Sequence, residues 1–481
     1  MTGQDHELDA PRVAGQSGAG GSGTGPGDRA RADAPTGRAA ADADAPALAD
    51  AGAGADDGVE DALALVGRQS AHAGARAPGT PHRATPWPGA RLVAARAGSA
   101  TPLRTRRAPL GQALGQVLAE PLTALTDLPS FDTSAMDGWA VSGPGPWTVE
   151  SGGGILAGHG EQEPLTDGAA VRIATGARVP AGATAVVRSE HSRTDSSGHL
   201  YAKRPVTHGQ DIRPRGQECR SGDQLVPAGG TVTPAVLGLA AAAGYDQLLT
   251  VRRPRIEVLV LGDELLTEGL PHDGLIRDAL GPMIGPWLRA LGAEVLATRR
   301  IGDDADALYD AVASSEAELV ITTGGTAAGP VDHVHPVLRK AGAELLVDGV
   351  AVRPGHPMLL ARLAHGRYLV GLPGNPLAAV SGLVTLAEPL LRGMSGRAAT
   401  PAPYRASLRD EVHGHPYDTR LVPVVRRGEV LVPLHYNGPA MLRGIAAAHG
   451  LAVVPPGGAG AGDELEVLDL PWSPTTEGCF T

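Results

Sequence analysis

Hydrophobic positions along the chain change their period several times, and each change marks a new element. In PLGQALGQVL, Pro109 to Leu118, the residues Leu110, Ala113, Leu114, Val117 and Leu118 fall at i, i+3, i+4, i+7 and i+8, which predicts an amphipathic helix. WPGARLVAARAG, Trp87 to Gly98, has similar spacing and marks the start of folded chain. After Pro129 the period shortens. From Trp139 to about Pro234, short alternating runs such as AAVRIATG, ATAVVRSE and HLYAKRPV are cut by Gly and Pro, the pattern of brief strands and turns. TPAVLGLAAAAG, Thr233 to Gly244, carries a Thr cap, a Pro next to it and a closing Gly, predicting a helix.

The clearest architecture runs from Arg255 to about Leu391. RIEVLVLG, EVLATRRI and ELVITTGG read as strands, alternating with the helical segments MIGPWLRALG, DDADALYDAVASSE and HVHPVLRKAG; a strand, a PGNP turn and a helix follow in YLVGLPGNPLAAVSGLVTLAEPLL. This alternation predicts a parallel sheet covered on both faces. A last β-rich piece spans about Pro401 to Leu470. At the other end, residues 1 to about 56 are Gly, Ala, Asp, Pro and Ser with almost no large apolar side chains, so they cannot bury enough surface to offset their ordering entropy.

Composition sharpens this picture. A chain of 481 residues needs several cores. With 67 Gly and 41 Pro, much of it must be turn or tail, which concentrates the core in the periodic segments. A formal charge of −11 argues against broad nucleic-acid binding, which needs an excess of Lys and Arg. Cys219 and Cys479 are far apart and form no C-x-x-C, so neither a disulfide framework nor a zinc site is expected, and a cytoplasmic location fits. MTGQDHELDA shows no basic and then apolar leader, and no apolar run is expected to reach the length of a membrane span.

In an open parallel sheet, ligands lie beyond the carboxyl ends of the strands. Two loops occupy such places. Gly262, Asp263 and Glu264 follow RIEVLVL; the two acids suit either a hard cation or capping of the next helix. TTGGTAAGPVDHV, Thr322 to Val334, offers glycine amides and Thr hydroxyls to an anion, lacks the Walker lysine, and ends in Asp332, which suits a metal or a helix cap. Arg213 and Arg215 flank Pro214 and point the same way if extended. VAVRPGHP brings Arg353 and His356 around a Pro-Gly turn, and Thr175-Gly176 ends a strand. His333 and His335 are two apart, not the four of a helical zinc pair, and read as surface or packing residues. No Ser/His/Asp triad or cysteine nucleophile is apparent.

Together these stretches resemble the molybdopterin molybdenumtransferase family, the molybdenum insertases that include the E domain of gephyrin. FDTSAMDGWAV resembles the family's FDNSAMDGYAV, VRIATGARVP its RI-x-TGAPVP, DIRPRGQE its IR-x-RGED, and LGDEL its TGDEL. TTGGTAAGPVDHV resembles SGGVS-x-G-x-x-D, VRPGHP resembles KPGKP, and GLPGNPLAAV resembles GLPGNPVSA. The resemblance implies a multi-domain fold: a three-layer α/β molybdopterin-binding domain (255–395), a β-rich domain (139–231), an elongated linker or dimerisation domain (87–138 and 232–254), a small C-terminal β domain with its tail (396–481), and a low-complexity N-terminal tail (1–86).

It also implies an activity. Adenylylated molybdopterin would be hydrolysed with Mg2+ and molybdate inserted, releasing AMP, in a homodimer. A molybdopterin-adenylating enzyme would precede the step and apo-molybdoenzymes would follow it, with no nucleic acid or membrane involved. By motif position, Asp137, Thr175, Glu264, Asp332 and Arg353 take catalytic places. Ser134, Arg213, Arg215, Gly324, Gly325, Thr326, His356, Pro373 and Asn375 take substrate-binding places, and Asp137, Asp263, Glu264 and Asp332 take metal-binding places. Under this reading Asp137 sits on a turn anchored by Phe131, Met136 and Trp139 and faces the neighbouring subunit's cleft.

Four places depart from the family pattern. Arg353 stands for a lysine, His356 for a second basic residue, and GGTAAG and Asp278-Ala279-Leu280 lose a Ser and an Asn. They keep two alternatives open: a non-catalytic molybdopterin-binding or scaffold protein, and a transferase acting on another nucleotide-linked anion.

Overall fold

The computed structural model describes residues 84–152, 154–158, 163–326, 333–397 and 404–472. The predicted tail lies outside them except for its end, where Thr85–Pro86 pair in parallel with Val350 and Ala351.

Alternating side chains organise the central sheet. In the strand Arg255–Leu261, Ile256, Val258 and Val260 enter one core, and Leu259 and Leu261 enter another on the opposite face, as a period of two requires for a strand covered on both sides. The first core is closed by Ile284, Trp287 and Leu288 of the helix Leu280–Ala290 and by Leu383, Leu386 and Leu390. The second is closed by Leu308 and Val312 of Ala305–Ser314 and by Val334, Val337 and Leu338 of Val334–Lys340. The sheet order is Glu294–Ile301, Arg255–Leu261, Leu319–Thr323, Tyr368–Leu372, Leu359–Arg362, Glu344–Asp348. The first four strands are parallel. Leu359–Arg362 runs antiparallel to both of its neighbours, Tyr368–Leu372 and Glu344–Asp348, so the sheet is mixed rather than wholly parallel: residues 363–367, which join Leu359–Arg362 to Tyr368–Leu372, make a connection long enough for a hairpin and too short for a crossover helix.

Helix starts follow their caps. Asp304 accepts from the amides of Asp306 and Ala307 at 2.8 and 3.2 Å. Asp278 Oδ1 accepts from those of Leu280 and Gly281, both at 2.9 Å. The helix after the Gly262–Glu264 loop is therefore capped by Asp278, and the capping alternative for Asp263 and Glu264 falls. Asp278→Ala is expected to cost about 1 kcal/mol, read as an earlier midpoint in urea unfolding; an unchanged midpoint would show the cap to be idle.

The segment Pro376–Met394 is a continuous helix with a π turn at Leu383–Ala387. Pro389 has no N–H to return to the preceding turn, which leaves room for that register change. The side chain of Arg91 donates to the Val384 carbonyl, and Trp87 Nε1 donates to Thr385 Oγ1 at 3.0 Å. Contrary to expectation, this stretch is long and apolar enough to cross a membrane, with a mean hydropathy of 1.3, yet 83% of it is buried within the protein. It is a core helix.

Trp87–Ser99 forms the predicted helix and lies along this one, with Ala90, Ala94, Ala97 and Gly98 buried. Tyr368 Oη donates to the Ala97 carbonyl at 2.8 Å. These contacts attach it to the α/β layers rather than to the linker. By contrast, the helix expected over Pro109 to Leu118 is one turn, Leu110–Ala113. Gly115 takes a φ of 73°, and Val117 and Leu118 pair instead with Val251 and Thr250, where ladder hydrogen bonds replace those of a helix interrupted by glycine. The helix Pro234–Ala242 forms as expected, with Thr233 Oγ1 accepting from the Val236 amide.

A separate six-stranded sheet contains Gly138–Val141, flanked by Ala169–Ile173 and Ala185–Arg188. The C-terminal strands make a seven-stranded sheet that also takes in Val350–Arg353, running parallel to Thr419–Arg427. One strand of the VRPGHP segment thus leaves the α/β sheet and joins the C-terminal one.

Candidate functional site

Asp137 precedes the strand Gly138–Val141, and its neighbours are held by the backbone. The Ser134 amide donates to the Ala177 carbonyl, Gly176 to Ser134, Ala135 to Asp211, Val179 to Asp132, and Ser189 to Asp137. This lattice ties the turn to the Thr175-Gly176 turn and leaves the Asp137 carboxylate exposed. Asp137 Oδ1 accepts from the Thr175 amide at 2.7 Å. That bond, with the Thr175 hydroxyl and then Arg172 nearby, holds the carboxyl below the ordinary carboxylate range. Asp137 and Thr175 are thus brought together.

The anchoring differs from expectation. Phe131 is exposed, with the Arg178 guanidinium over its ring, while Trp139 packs against the β-rich core. Ser134, expected to bind substrate, is fully buried and gives its hydroxyl to the Met136 carbonyl at 2.6 Å. It shapes the turn.

At the α/β sheet, Leu261, Thr323 and Leu372 end adjacent strands. Asp263 and Glu264 stand exposed beyond the first. Arg300 donates to the carbonyls of Gly262 and Asp263 at 3.1 and 3.3 Å, fixing the loop; the Glu264 carboxylate lies over Gly262 and the Asp263 carboxylate against Gly302. The Asp263 amide lies 3.5 Å from Asp303 Oδ2. Gly324 and Gly325 have φ values of 84° and 64°, successive left-handed positions that glycine takes without strain and that let the backbone approach a ligand closely. The Gly324 amide is already bound to the Leu372 carbonyl at 2.8 Å.

Thr326 is buried, and the hydroxyl of Thr322 is buried with no partner among the described residues. Pro373 is buried and Asn375 exposed at the start of the helix. The Leu377 and Ala378 amides donate to the Pro439 carbonyl at 2.8 and 3.3 Å, so the C-terminal domain, not Asn375, caps this helix. Asp332 and Ala327 lie outside the described residues. No group of three or more His, Cys, Asp or Glu side chains among the described residues is placed to hold a metal ion, so the set Asp137, Asp263, Glu264 does not converge within the chain.

The basic residues divide. Arg215 is tied down by Asp127, its Nε 2.5 Å from Oδ2, and its amide donates to Asp132 at 2.7 Å. Arg213 is exposed. The two therefore do not form the fork expected of an extended segment. Arg353 is half-exposed, with Nε donating to Asp418 Oδ2 at 2.9 Å. His356 lies against Gly349, its Nδ1 buried without a partner among the described residues, and its carbonyl accepts from the Val350 amide. His335 pairs with Asp348 at 2.9 Å. Cys219 is buried and free, and burial pushes its thiol up, which suits packing and not nucleophilic attack.

Sequence reasoning missed Arg300, Asp303, Pro439 and Asp418. Each acts through a contact far along the chain, and none stands in a periodic or motif position that marks it.

Residues 90–244 match the family described as "MoeA N-terminal region (domain I and II)", residues 257–393 that described as "Probable molybdopterin binding domain", and residues 405–470 that described as "MoeA C-terminal region (domain IV)". A molybdopterin molybdenumtransferase of Staphylococcus aureus is 31% identical over 383 residues, covering 75% of this chain and 90% of the relative. One from Staphylococcus epidermidis is 31% identical over 377 residues, with the same coverage of each chain. Among solved structures, a molybdopterin biosynthesis MoeA protein from Pyrococcus horikoshii aligns with a TM-score of 0.67 at 25% identity, over 81% of this chain and 99% of that one. With its turn-borne Asp137 and its loops at the carboxyl ends of a mixed α/β sheet, the chain belongs to the molybdopterin molybdenumtransferase family, enzymes of molybdenum cofactor biosynthesis.

Proposed function

We propose that the protein inserts molybdate into adenylylated molybdopterin with Mg2+-dependent release of AMP, as a homodimer in the cytoplasm. A molybdopterin-adenylating enzyme supplies its substrate, and apo-molybdoenzymes take its product. The observation that carries this reading is the meeting, at neighbouring strand ends, of an exposed acidic loop, a left-handed Gly-Gly turn and the PGNP turn.

The donor chemistry fits a hard cation: the Asp263 and Glu264 carboxylates are exposed oxygen ligands. Mg2+ held there would neutralise charge on the phosphoanhydride. The chain's own residues do the rest. The Gly325 turn offers amide hydrogens to a phosphate oxygen, and the guanidinium of Arg353, with its terminal nitrogens free of Asp418, offers a fork to molybdate. Asp137, on the β-rich domain, serves the cleft of the partner subunit, which agrees with its lack of any link to Asp263 or Glu264 within one chain.

AMP release from adenylylated molybdopterin, measured with and without Mg2+ and molybdate and paired with reconstitution of a cofactor-free molybdoenzyme, tests the reading. AMP release dependent on both, with reconstitution, is expected. Tight binding with neither would leave a cofactor-binding relative without the chemistry.

A further inference from the structure

Arg353 stands where the family motif has a lysine, and its surroundings differ from those a lysine needs. The strand Val350–Arg353 pairs with Thr419–Arg427, setting Arg353 beside Arg420 in register. This places Asp418, a nearly buried carboxylate, against the Arg353 guanidinium: Nε to Oδ2 is 2.9 Å. Among the described residues, two other basic side chains stand within three positions of Asp418, and neither competes. Arg420 is committed to the His413 carbonyl at 2.8 Å and to Asn437 Oδ1 at 3.1 Å. His415 lies 3.4 Å from Asp418 Oδ2, but its Nδ1 accepts from the Asp418 and Tyr417 amides at 3.0 and 3.3 Å. A ring nitrogen whose lone pair is taken has no proton there to give a carboxylate. The same two amide bonds fix the loop that carries Asp418.

We infer that Asp418 is a positioning residue for Arg353: the C-terminal domain aims the guanidinium at the oxyanion. A guanidinium can satisfy one anion through Nε and still present its terminal nitrogens to a second, as a planar fork of fixed direction. An ammonium carries its three donors on a single rotating nitrogen, so a lysine bound to Asp418 would present no planar fork of fixed direction to the second anion. The arginine and the buried carboxylate therefore form a unit that substitutes for the family's lysine. The inference rests on the reading of Arg353 as a ligand of molybdate.

The test uses the full chain and two readouts: molybdate affinity by calorimetry and AMP release. Asp418→Asn is expected to weaken molybdate binding roughly tenfold, to raise the KM for molybdate by a similar factor, and to leave the KM for adenylylated molybdopterin and the melting temperature close to wild type. Arg353→Lys is expected to weaken molybdate binding as well, and adding Asp418→Asn to it should bring no further loss. Equal molybdate affinity in wild type and Asp418→Asn overturns the inference, as does a full additional loss in the Lys background. Molybdate binding that depends on Asp418 without any AMP release upholds the inference and sinks the insertase reading alone. A wild-type chain that binds no molybdate overturns both.

Discussion

Asp137→Asn is expected to lower molybdate-dependent AMP release by about 10²–10³-fold, the loss seen when one preorganised electrostatic group is removed from a site. The change is close to isosteric. The Thr175 amide still finds an oxygen to donate to, and the backbone lattice around Ser134, Ala135 and Asp137 is untouched, so the turn persists and only the charge goes. Binding of adenylylated molybdopterin should survive better than turnover, a fall in kcat with little change in KM. Unchanged turnover would remove Asp137 from the mechanism.

The pH dependence follows from the same bond. Because the folded-state pKa of Asp137 is depressed, first by the Thr175 amide, the carboxylate stays ionised as pH falls through the ordinary carboxylate range. Its favourable contact is present above the unfolded pKa and is lost only as pH falls through the lower, folded one. An acid limb of activity near the usual carboxylate pKa should therefore belong to another group. Thr175→Ala removes the hydroxyl and keeps the amide, so the Asp137 carboxyl should remain below its ordinary value; a return to that value in an NMR titration would contradict the order of causes.

Gly98→Val is expected to destabilise the α/β region by about 3 kcal/mol, the upper end for overpacking a tight contact. A Cβ at Gly98 would lie 2.9 Å from the Leu390 carbonyl carbon and 3.2 Å from Gly393 Cα, and one at Gly393 would lie 2.6 Å from the Gly98 carbonyl carbon. Both obstacles are backbone, so no side chain can swing away. The helices Trp87–Ser99 and Pro376–Met394 would have to separate, exposing Ala90, Ala94 and Ala97 and straining the Trp87 to Thr385 bond. An earlier urea transition, with AMP release per folded molecule unchanged, is the expected result. A transition at the wild-type midpoint would mean that the two helices do not depend on this contact.

Much of this molecule was legible where local chemistry and pattern coincide. The strands Arg255–Leu261, Leu319–Thr323 and Tyr368–Leu372 are apolar runs followed by Gly or Pro, and the helix cap at Thr233 announces itself. The motifs around Asp137, Thr175, Glu264 and the Gly324 turn were readable because short-range backbone demands, a turn or a left-handed residue, leave a mark on neighbouring positions. Where local and distant demands competed, local spacing misled. The Pro109 to Leu118 segment has helical periodicity, but Val117 and Leu118 find better partners in Val251 and Thr250, and Leu359–Arg362 turns back into Tyr368–Leu372 through a hairpin.

The residues alone thus announce the four parallel strands of the α/β sheet and the helices between them, the turns that carry acids and glycines, and the family to which these belong, while the strands Glu344–Asp348 and Leu359–Arg362 went unmarked. Only the tertiary structure decided that Ser134 is spent on a carbonyl, that Arg215 is held by Asp127, that Pro439 caps the helix after the PGNP turn, and that Arg353 leaves the α/β sheet to meet Asp418. The physical reason is separation along the chain. A cap or a turn is formed by residues within a few positions, so its requirements are written locally, whereas an ion pair spanning 65 positions leaves no periodic trace and exists only once two sheets have brought its halves together.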